Sequence, residues 1–331
     1  MRIGVIMGGI SSEREISLMT GREMMVHLDR GKYEVIGIDI ESPGDLIGKV
    51  KGIDFALLAL HGKYGEDGTV QAALESMGIP YSGSGVLSSG LCMDKNLSKR
   101  LLRAEGVSTP DWLYWNGMKD YDAEAVKERL GFPVFVKPNE GGSSVGTLPV
   151  ASEEGLKEAV MEALRYDTSV VIEQYIEGQE ITCSILGGEL LPVLGIRSNR
   201  SAWFDYKAKY ETGGAEEDVI ALSADTEARV TAAALDSYRV LKCGVYARVD
   251  MMMREGIPYV LEVNTLPGMT RASLLPKSAQ AAGISFGGLL DRIIELSLHE
   301  REANRRWHRP SGRSPELGRE REEGSVAVYG H

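Results

Sequence analysis

Cysteine, histidine and aromatic residues are scarce in this chain. Its three cysteines, Cys92, Cys183 and Cys243, stand far apart among 331 residues with no C-x-x-C pair. That spacing argues against a disulfide framework and fits reduced, buried thiols of a cytoplasmic protein. The histidines are equally scattered, which disfavours a zinc site and leaves hard cations on oxygen ligands as the open metal chemistry. No run reaches the ~20 apolar residues of a membrane span. The apolar start, residues 1–7, is too short for a signal peptide and runs directly into Gly8-Gly9. Positive charge is also in deficit: 37 Lys and Arg against 48 Asp and Glu leave a net charge of −11. Such a balance suits general nucleic-acid binding poorly, since phosphate contacts need clustered cations.

What the chain does have is an alternating α/β pattern. Apolar runs at 2–7, 35–40 and 55–60 read as strands, and 69–77 reads as a helix stopped by Gly78 and Pro80. Strands alternating with helices imply parallel pairing. Ser12 and Glu15 have capping-box spacing, which places a helix start there. Further on, 94–105 reads as a helix, 134–137 and 170–174 as strands, and 152–164 as a helix capped by Ser152. Strands follow at 180–186 and 190–197, then a long loop over 200–220, a helix at 226–242, strands at 245–253 and 258–263, and a helical region over 271–298. The expected division is an N-terminal α/β domain (1–84), a central domain (85–178), a C-terminal domain (179–300) and a disordered Arg- and Glu-rich tail (301–331).

Several clusters could carry chemistry. Glu262 and Asn264 are two apart on a strand and share a face. With Asp250 alongside they would offer three oxygen ligands to a magnesium ion, or they are solvated strand-end groups. Lys137 ends an apolar strand and needs a counter-charge, which a phosphate would supply, unless it snorkels to the surface. The loop Glu140-Gly141-Gly142-Ser143-Ser144-Val145-Gly146 could cradle an anion or simply turn a hairpin. Glu13 could accept an ammonium group or complement a helix dipole. Ser273 and the Leu274 amide could hold a carboxylate at a helix start, or Ser273 could cap its own helix. The glycine-rich run from His61 to Gly68 is a ligand loop or a plain connection. The aromatic stretch over 203–210 is a lid, or its rings pack on the surface.

The order of these segments is more specific than any one of them. Gly8-Gly9-Ile10-Ser11-Ser12-Glu13-Arg14-Glu15-Ile16-Ser17, His61-Gly62-Lys63-Tyr64-Gly65-Glu66-Asp67-Gly68, Met93-Asp94-Lys95 and Val136-Lys137-Pro138 come first. Gly142-Ser143-Ser144-Val145-Gly146, Ala208-Lys209-Tyr210, Arg248-Val249-Asp250 and the run from Glu262 to Thr270 follow. Over residues 1–298 the chain resembles the D-alanine–D-alanine ligase family of the ATP-grasp superfamily. The resemblance implies an α/β ATP-grasp fold of three domains, with the central and C-terminal α+β domains sandwiching ATP. It implies a cytoplasmic enzyme, commonly a homodimer, that joins two D-alanine molecules through an acyl phosphate for peptidoglycan synthesis; the alternatives are D-lactate or D-serine as second substrate and, less favoured, a non-catalytic ATP-binding module of the same fold.

The site residues implied by the resemblance follow position by position. Lys95, Lys137 and Lys209 would hold ATP phosphates, with Ser144 beside them. Glu173 would take the adenine amino group next to the backbone of Gln174, Tyr175 and Ile176, and Glu180 the ribose. Asp250, Glu262 and Asn264 would hold Mg²⁺ or Mn²⁺. Glu13 would bind the ammonium of the first D-alanine, with His61 nearby, and Ser273 and Leu274 the carboxylate of the second. Arg248 and the Gly268 amide would stabilise the oxyanion, and Ser143 and Tyr210 would hydrogen-bond with Glu13. Ala247, where the family usually has glycine, and the segment 211–222 depart from the pattern.

Overall fold

The structure is a computed structural model and describes residues 1–198 and 215–307. The first unit contains β1 (Arg2–Gly8), α1 (Arg14–His27), β2 (Glu34–Ile40), α2 (Asp45–Lys49), β3 (Phe55–Leu58) and α3 (Thr69–Ser76). Its three strands are parallel in the order β2-β1-β3. Beyond Arg2, every β1 residue is buried, as expected of a central parallel strand covered on both faces. α1 does not start with the expected capping box. Its N-cap is Glu13, and no side chain caps it. Ser11, not Ser12, organises the turn: its hydroxyl donates to the His61 carbonyl (2.7 Å) and accepts the Glu13 amide (3.2 Å).

Two helices, α4 (Val86–Met93) and α5 (Lys95–Ala104), lead into the second unit. Asp94 caps α5 by accepting the Leu97 amide at 2.8 Å. The second unit has β4 (Trp112–Trp115), α6 (Ala123–Arg129), β5 (Val134–Pro138), β6 (Leu148–Val150), α7 (Leu156–Ala163) and β7 (Val170–Gln174), with an antiparallel sheet in the order β4-β7-β5-β6. Strand alternation sends Val134, Val136, Val170 and Ile172 into the core under α7. It leaves Phe135, Lys137 and Glu173 on the opposite face. Ser152 does not cap the following helix; a single 3₁₀ turn, Glu153–Gly155, intervenes, and the Ser152 hydroxyl bonds to Glu154.

The third unit contains β8 (Gln179–Leu186), β9 (Glu189–Leu190), β10 (Leu194–Ser198), β11 (Ala215–Val219), α8 (Ala224–Val240), β12 (Tyr246–Arg254), β13 (Ile257–Asn264), α9 (Leu274–Ala281) and α10 (Phe286–Trp307). Its sheet is antiparallel, in the order β11-β10-β8-β12-β13, with β9 on β8. The expected strand at 190–197 is split around Pro192, which lacks the donor a continuous ladder needs. β11 lies inside the span expected to be loop; its run Ala-Glu-Glu-Asp-Val carries no apolar alternation, and pairing with β10 makes it a strand.

The C-terminal helix runs further than expected. α10 buries Leu289, Leu290, Ile293 and Ile294 in the core of the first unit. It continues through the supposed tail boundary to Trp307. Arg301 is buried there; it donates to the Gly83 carbonyl at 2.7 Å and lies 3.9 Å from the Tyr81 ring centroid. Residues 308–331 lie outside the described residues. Cys92 and Cys243, distant in sequence, meet with their sulfurs 3.8 Å apart where α4 packs against the third unit, both as free thiols.

Candidate active site

The second and third sheets face each other across a cavity of about 560 Å³. Lys95, Lys137, Ser144, Glu173, Gln174, Tyr175 and Ile176 line it from one side, and Glu180, Asp250 and Glu262 from the other. Most of the residues assigned to ATP therefore share one wall system. Lys137 is not a snorkelling surface lysine, since it pairs with the buried carboxylate of Glu173. Burial alone would raise the Glu173 carboxyl; Lys137 and Lys99 outweigh it and hold it below the usual range.

Residues 141–146 connect β5 to β6, and Gly141, Gly142, Ser144 and Val145 of this hairpin line the cavity. Ser143 and Ser144 have φ of 51° and 58°, left-handed values that side chains rarely adopt. Such strain of about 1–3 kcal/mol per residue persists where surroundings fix it. Here the loop is tied down on two sides. The Lys95 ammonium donates to the Gly141 carbonyl at 2.5 Å, and the Ser143 hydroxyl donates to the Glu13 carboxylate.

Asp250 and Glu262 are cross-strand partners on β12 and β13, as are Arg248 and Asn264. All four side chains thus gather on one sheet face. Asp250 is densely bonded. Thr182 donates to it at 2.6 Å, Arg248 makes a two-point contact at 2.9 and 2.8 Å, and Asn264 donates at 3.0 Å. The Lys95 ammonium stands 3.7 Å from the Glu262 carboxylate. The donor set is oxygen-only, two carboxylates and an amide, and suits a hard divalent cation rather than zinc.

On the side of the first unit, Glu13 is buried beneath Gly62 and Gly142. A Cβ at Gly62 would sit 2.7 Å from the Glu13 carboxylate, and that glycine has φ +69°. A side chain there would therefore both clash and strain the backbone. His61 is buried, with its Nε2 3.2 Å from the Thr20 hydroxyl. Burial, opposed by the Leu266 backbone and reinforced by the Arg248 charge, lowers its pKa to about 4. The ring is therefore neutral near pH 7. Glu66 accepts the Gly62 amide at 2.7 Å, and burial with the neighbouring Glu13 pushes its pKa up to about 8.

Ser273 occupies the N-cap position of α9 but does not cap that helix. Its hydroxyl accepts the Thr270 amide at 3.1 Å, and it lies close enough to Gly268 that a Cβ there would meet it at 2.9 Å. Gly268, Ser273 and Leu274 therefore form one corner. It is not among the residues lining the 560 Å³ cavity. Lys209 and Tyr210 lie outside the described residues.

Family models decide the membership. The model described as D-ala D-ala ligase C-terminus matches residues 101–295, and that of the D-ala D-ala ligase N-terminus matches 2–52 and 45–84. The chain belongs to the D-alanine–D-alanine ligase family. A D-alanine–D-alanine ligase of Bacillus anthracis (strain CDC 684 / NRRL 3495) is 58% identical over 302 residues, covering 91% of this chain and 99% of that protein. One from Clostridium perfringens (strain SM101 / Type A) is 57% identical over 298 residues, covering 90% and 98%. Among solved structures, the Bacillus anthracis ligase complexed with ATP aligns with a TM-score of 0.84 and 55% identity, over 92% of this chain and 99% of that one. A D-Ala:D-Ser ligase of Enterococcus faecalis aligns at 0.78 and 31%, over 89% and 99%. The family's ATP-grasp architecture accounts for the two antiparallel sheets that enclose the cavity.

Sequence reasoning missed several residues around this family site. Lys99 is buried against Glu173, Thr182 supports Asp250, and Thr20 holds His61. Lys99 stands one helical turn after Lys95, a spacing that could have drawn attention to it. Nothing in the sequence marks Thr20 or Thr182, since their partners come from other elements.

Proposed function

We propose that this chain catalyses the ATP-dependent ligation of two D-alanine molecules, and that its reaction runs through the residues gathered around the inter-sheet cavity. The observation that carries the reading is the Asp250–Glu262 cross-strand pair facing Lys95 and Lys137 across one cavity, in a member of this family. A second substrate of D-serine or D-lactate is not favoured, because the relatives at 57–58% identity bear the D-alanine–D-alanine name while the D-Ala:D-Ser neighbour stands at 31%.

The carboxylate of the first D-alanine attacks the terminal phosphate of ATP, giving an acyl phosphate and ADP. The amine of the second D-alanine then attacks the acyl carbonyl, and phosphate leaves. Lys95 and Lys137 hold the phosphate chain, with Ser144 and the strained loop amides beside it. Glu173 accepts the adenine amino group beside the Gln174–Ile176 backbone, and Glu180 takes the ribose. Asp250, Glu262 and Asn264 would hold Mg²⁺ (or Mn²⁺), which when bound would offset phosphate charge. Arg248, oriented by its two-point contact with Asp250, faces the developing oxyanion. Glu13 receives the first ammonium. The neutral His61 adds no charge around it, and burial with the Glu13 charge raises the Glu66 pKa, which favours its uncharged form. Ser273 and the Leu274 amide take the second carboxylate.

Among the described residues no helix is long and apolar enough to cross a membrane. We further propose that the reaction runs in the cytoplasm, where ATP is at hand, in a homodimer, both as the family resemblance implies. The test is phosphate release from ATP with D-alanine, L-alanine, D-serine and D-lactate compared, with product identified. D-alanine-dependent release with the dipeptide as main product supports the reading; release indifferent to the acceptor rejects it.

A further inference from the structure

The cavity wall contains a three-charge cluster whose parts are not equivalent. Glu173 sits on β7 with both carboxylate oxygens engaged, Oε1 by Lys99 and Oε2 by Lys137. Glu173 and Lys99 are both almost fully buried. Two ammonium groups share one carboxylate, and the Glu262 and Glu180 charges also act on Lys137. Of the two lysines, Lys137 lines the cavity with Glu173 and Lys99 does not.

Lys99 reaches Glu173 from outside the cavity lining and is fixed there. It donates to the Thr109 hydroxyl at 2.6 Å, and Thr109 in turn donates to the Val260 carbonyl on β13 at 2.7 Å. The Val260 amide donates back to the Ser108 carbonyl at 2.8 Å. The ammonium also lies 5.3 Å from the ring centroid of Trp112, the residue opposite Glu173 in the β4–β7 register. Lys99 therefore cannot follow a ligand, whereas Lys137 can turn from Glu173 toward the cavity.

We propose that Lys99 is a positioning residue for the nucleotide base: it keeps Glu173 ionised and aimed at the base end of the cavity when Lys137 turns to the phosphates. The inference rests on the reading that Glu173 faces the adenine amino group. An ionised carboxylate can only accept hydrogen bonds. It therefore pairs with a 6-amino purine and rejects a 6-oxo purine, whose edge presents an acceptor. Without Lys99, the departure of Lys137 would leave a buried carboxylate with no cation, and such a group takes up a proton instead. A protonated carboxyl can donate as well as accept, so the discrimination would be lost with it. Burial lowers the Lys99 pKa to about 8 against the pull of Glu173, and the Lys137 charge adds to that fall. Removing Lys137 from the cluster therefore strengthens the hold of Lys99 on its proton.

The experiment compares KM and kcat for ATP and ITP in the parent, Lys99→Met, Lys99→Arg and Thr109→Val, with circular dichroism as the check on folding. Lys99→Met is expected to raise KM for ATP about tenfold or more, the scale of a buried charge-assisted hydrogen bond. KM for D-alanine should stay near the parent value, and the ATP-over-ITP preference should shrink. Lys99→Arg retains the charge and restores part of that preference. Thr109→Val, which loosens Lys99 without removing a charge, moves ATP the same way by a smaller factor and serves if Lys99→Met does not fold. An unchanged KM for ATP in every folded variant overturns the proposal, and so does an equal rise for ATP and ITP. If the parent itself does not prefer ATP to ITP, the assignment of Glu173 to the adenine edge fails, and the role of Lys99 falls with it.

Discussion

Protonation of His61 should uncouple part of the fold's stability at acid pH. Its ring is buried beside Thr20 and near Arg248, and its pKa falls from 6.5 to about 4. A group with a depressed folded pKa contributes stability that is fully present above its unfolded pKa, here 6.5. That contribution is lost as pH falls through the folded value. The gap corresponds to about 3 kcal/mol, a large share of the 5–15 kcal/mol typical of native proteins. Other groups also titrate in this window, so the informative quantity is a difference between two proteins. His61→Gln keeps a polar group near Thr20 but cannot titrate. Urea midpoints of parent and variant, followed by circular dichroism at a series of pH values from neutral to about 4, give that difference. The parent's stability is expected to fall relative to the variant by about 3 kcal/mol across the window. Parallel curves for the two proteins would refute the reasoning, because they would mean that His61 titrates alike folded and unfolded.

Glu262→Gln should lose most turnover and need more Mg²⁺ while keeping its circular dichroism spectrum; unchanged turnover with an unchanged metal requirement contradicts the metal assignment. Thr182→Val removes the 2.6 Å donor to Asp250, a bond worth about 1 kcal/mol, so half-maximal activity should require roughly fivefold more Mg²⁺; a superimposable metal titration would show that Thr182 has no part in orienting Asp250. Arg301→Ala should lower stability by about 2 kcal/mol, by loss of the Gly83 contact and the Tyr81 stacking, with KM values unmoved. Deletion from residue 301 should therefore destabilise the protein, and a parent-like melting temperature in either variant would show that the end of α10 is dispensable.

Much of this molecule is legible in its sequence because periodicity and punctuation survive without context. The strands β1, β3, β5 and β7 are dense apolar runs bounded by glycine, proline or polar residues, and their expected positions differ from those found by at most two residues at an end. The cross-strand meeting of Asp250 with Glu262 was also within reach, because two alternating strands joined by a short turn pair antiparallel. Local rules failed where a longer-range contact overrode them. Glu13, not Ser12, stands at the start of α1, where Ser11 ties the turn to the distant His61 carbonyl and accepts the Glu13 amide. β11 carries three acids in five residues and becomes a strand only through β10. Arg301 reads as the first residue of a charged tail, yet the Gly83 carbonyl and the Tyr81 ring come to it from the far end of the chain. Lys99 reads as one more basic residue on an amphipathic helix; its burial depends on Glu173 and Thr109, which no spacing rule connects to it.

The central claim is that the first D-alanine is activated as an acyl phosphate before the second attacks. D-alanine labelled with ¹⁸O in its carboxylate, supplied with ATP and Mg²⁺, tests it directly by mass analysis of the released phosphate. Attack of that carboxylate on ATP, followed by displacement at the acyl carbon, transfers one labelled oxygen from each activated D-alanine to phosphate. The account predicts phosphate carrying one ¹⁸O for each dipeptide formed. Dipeptide accompanied by unlabelled phosphate would contradict it, because the carboxylate oxygen would then have left by a route that never joined it to phosphorus.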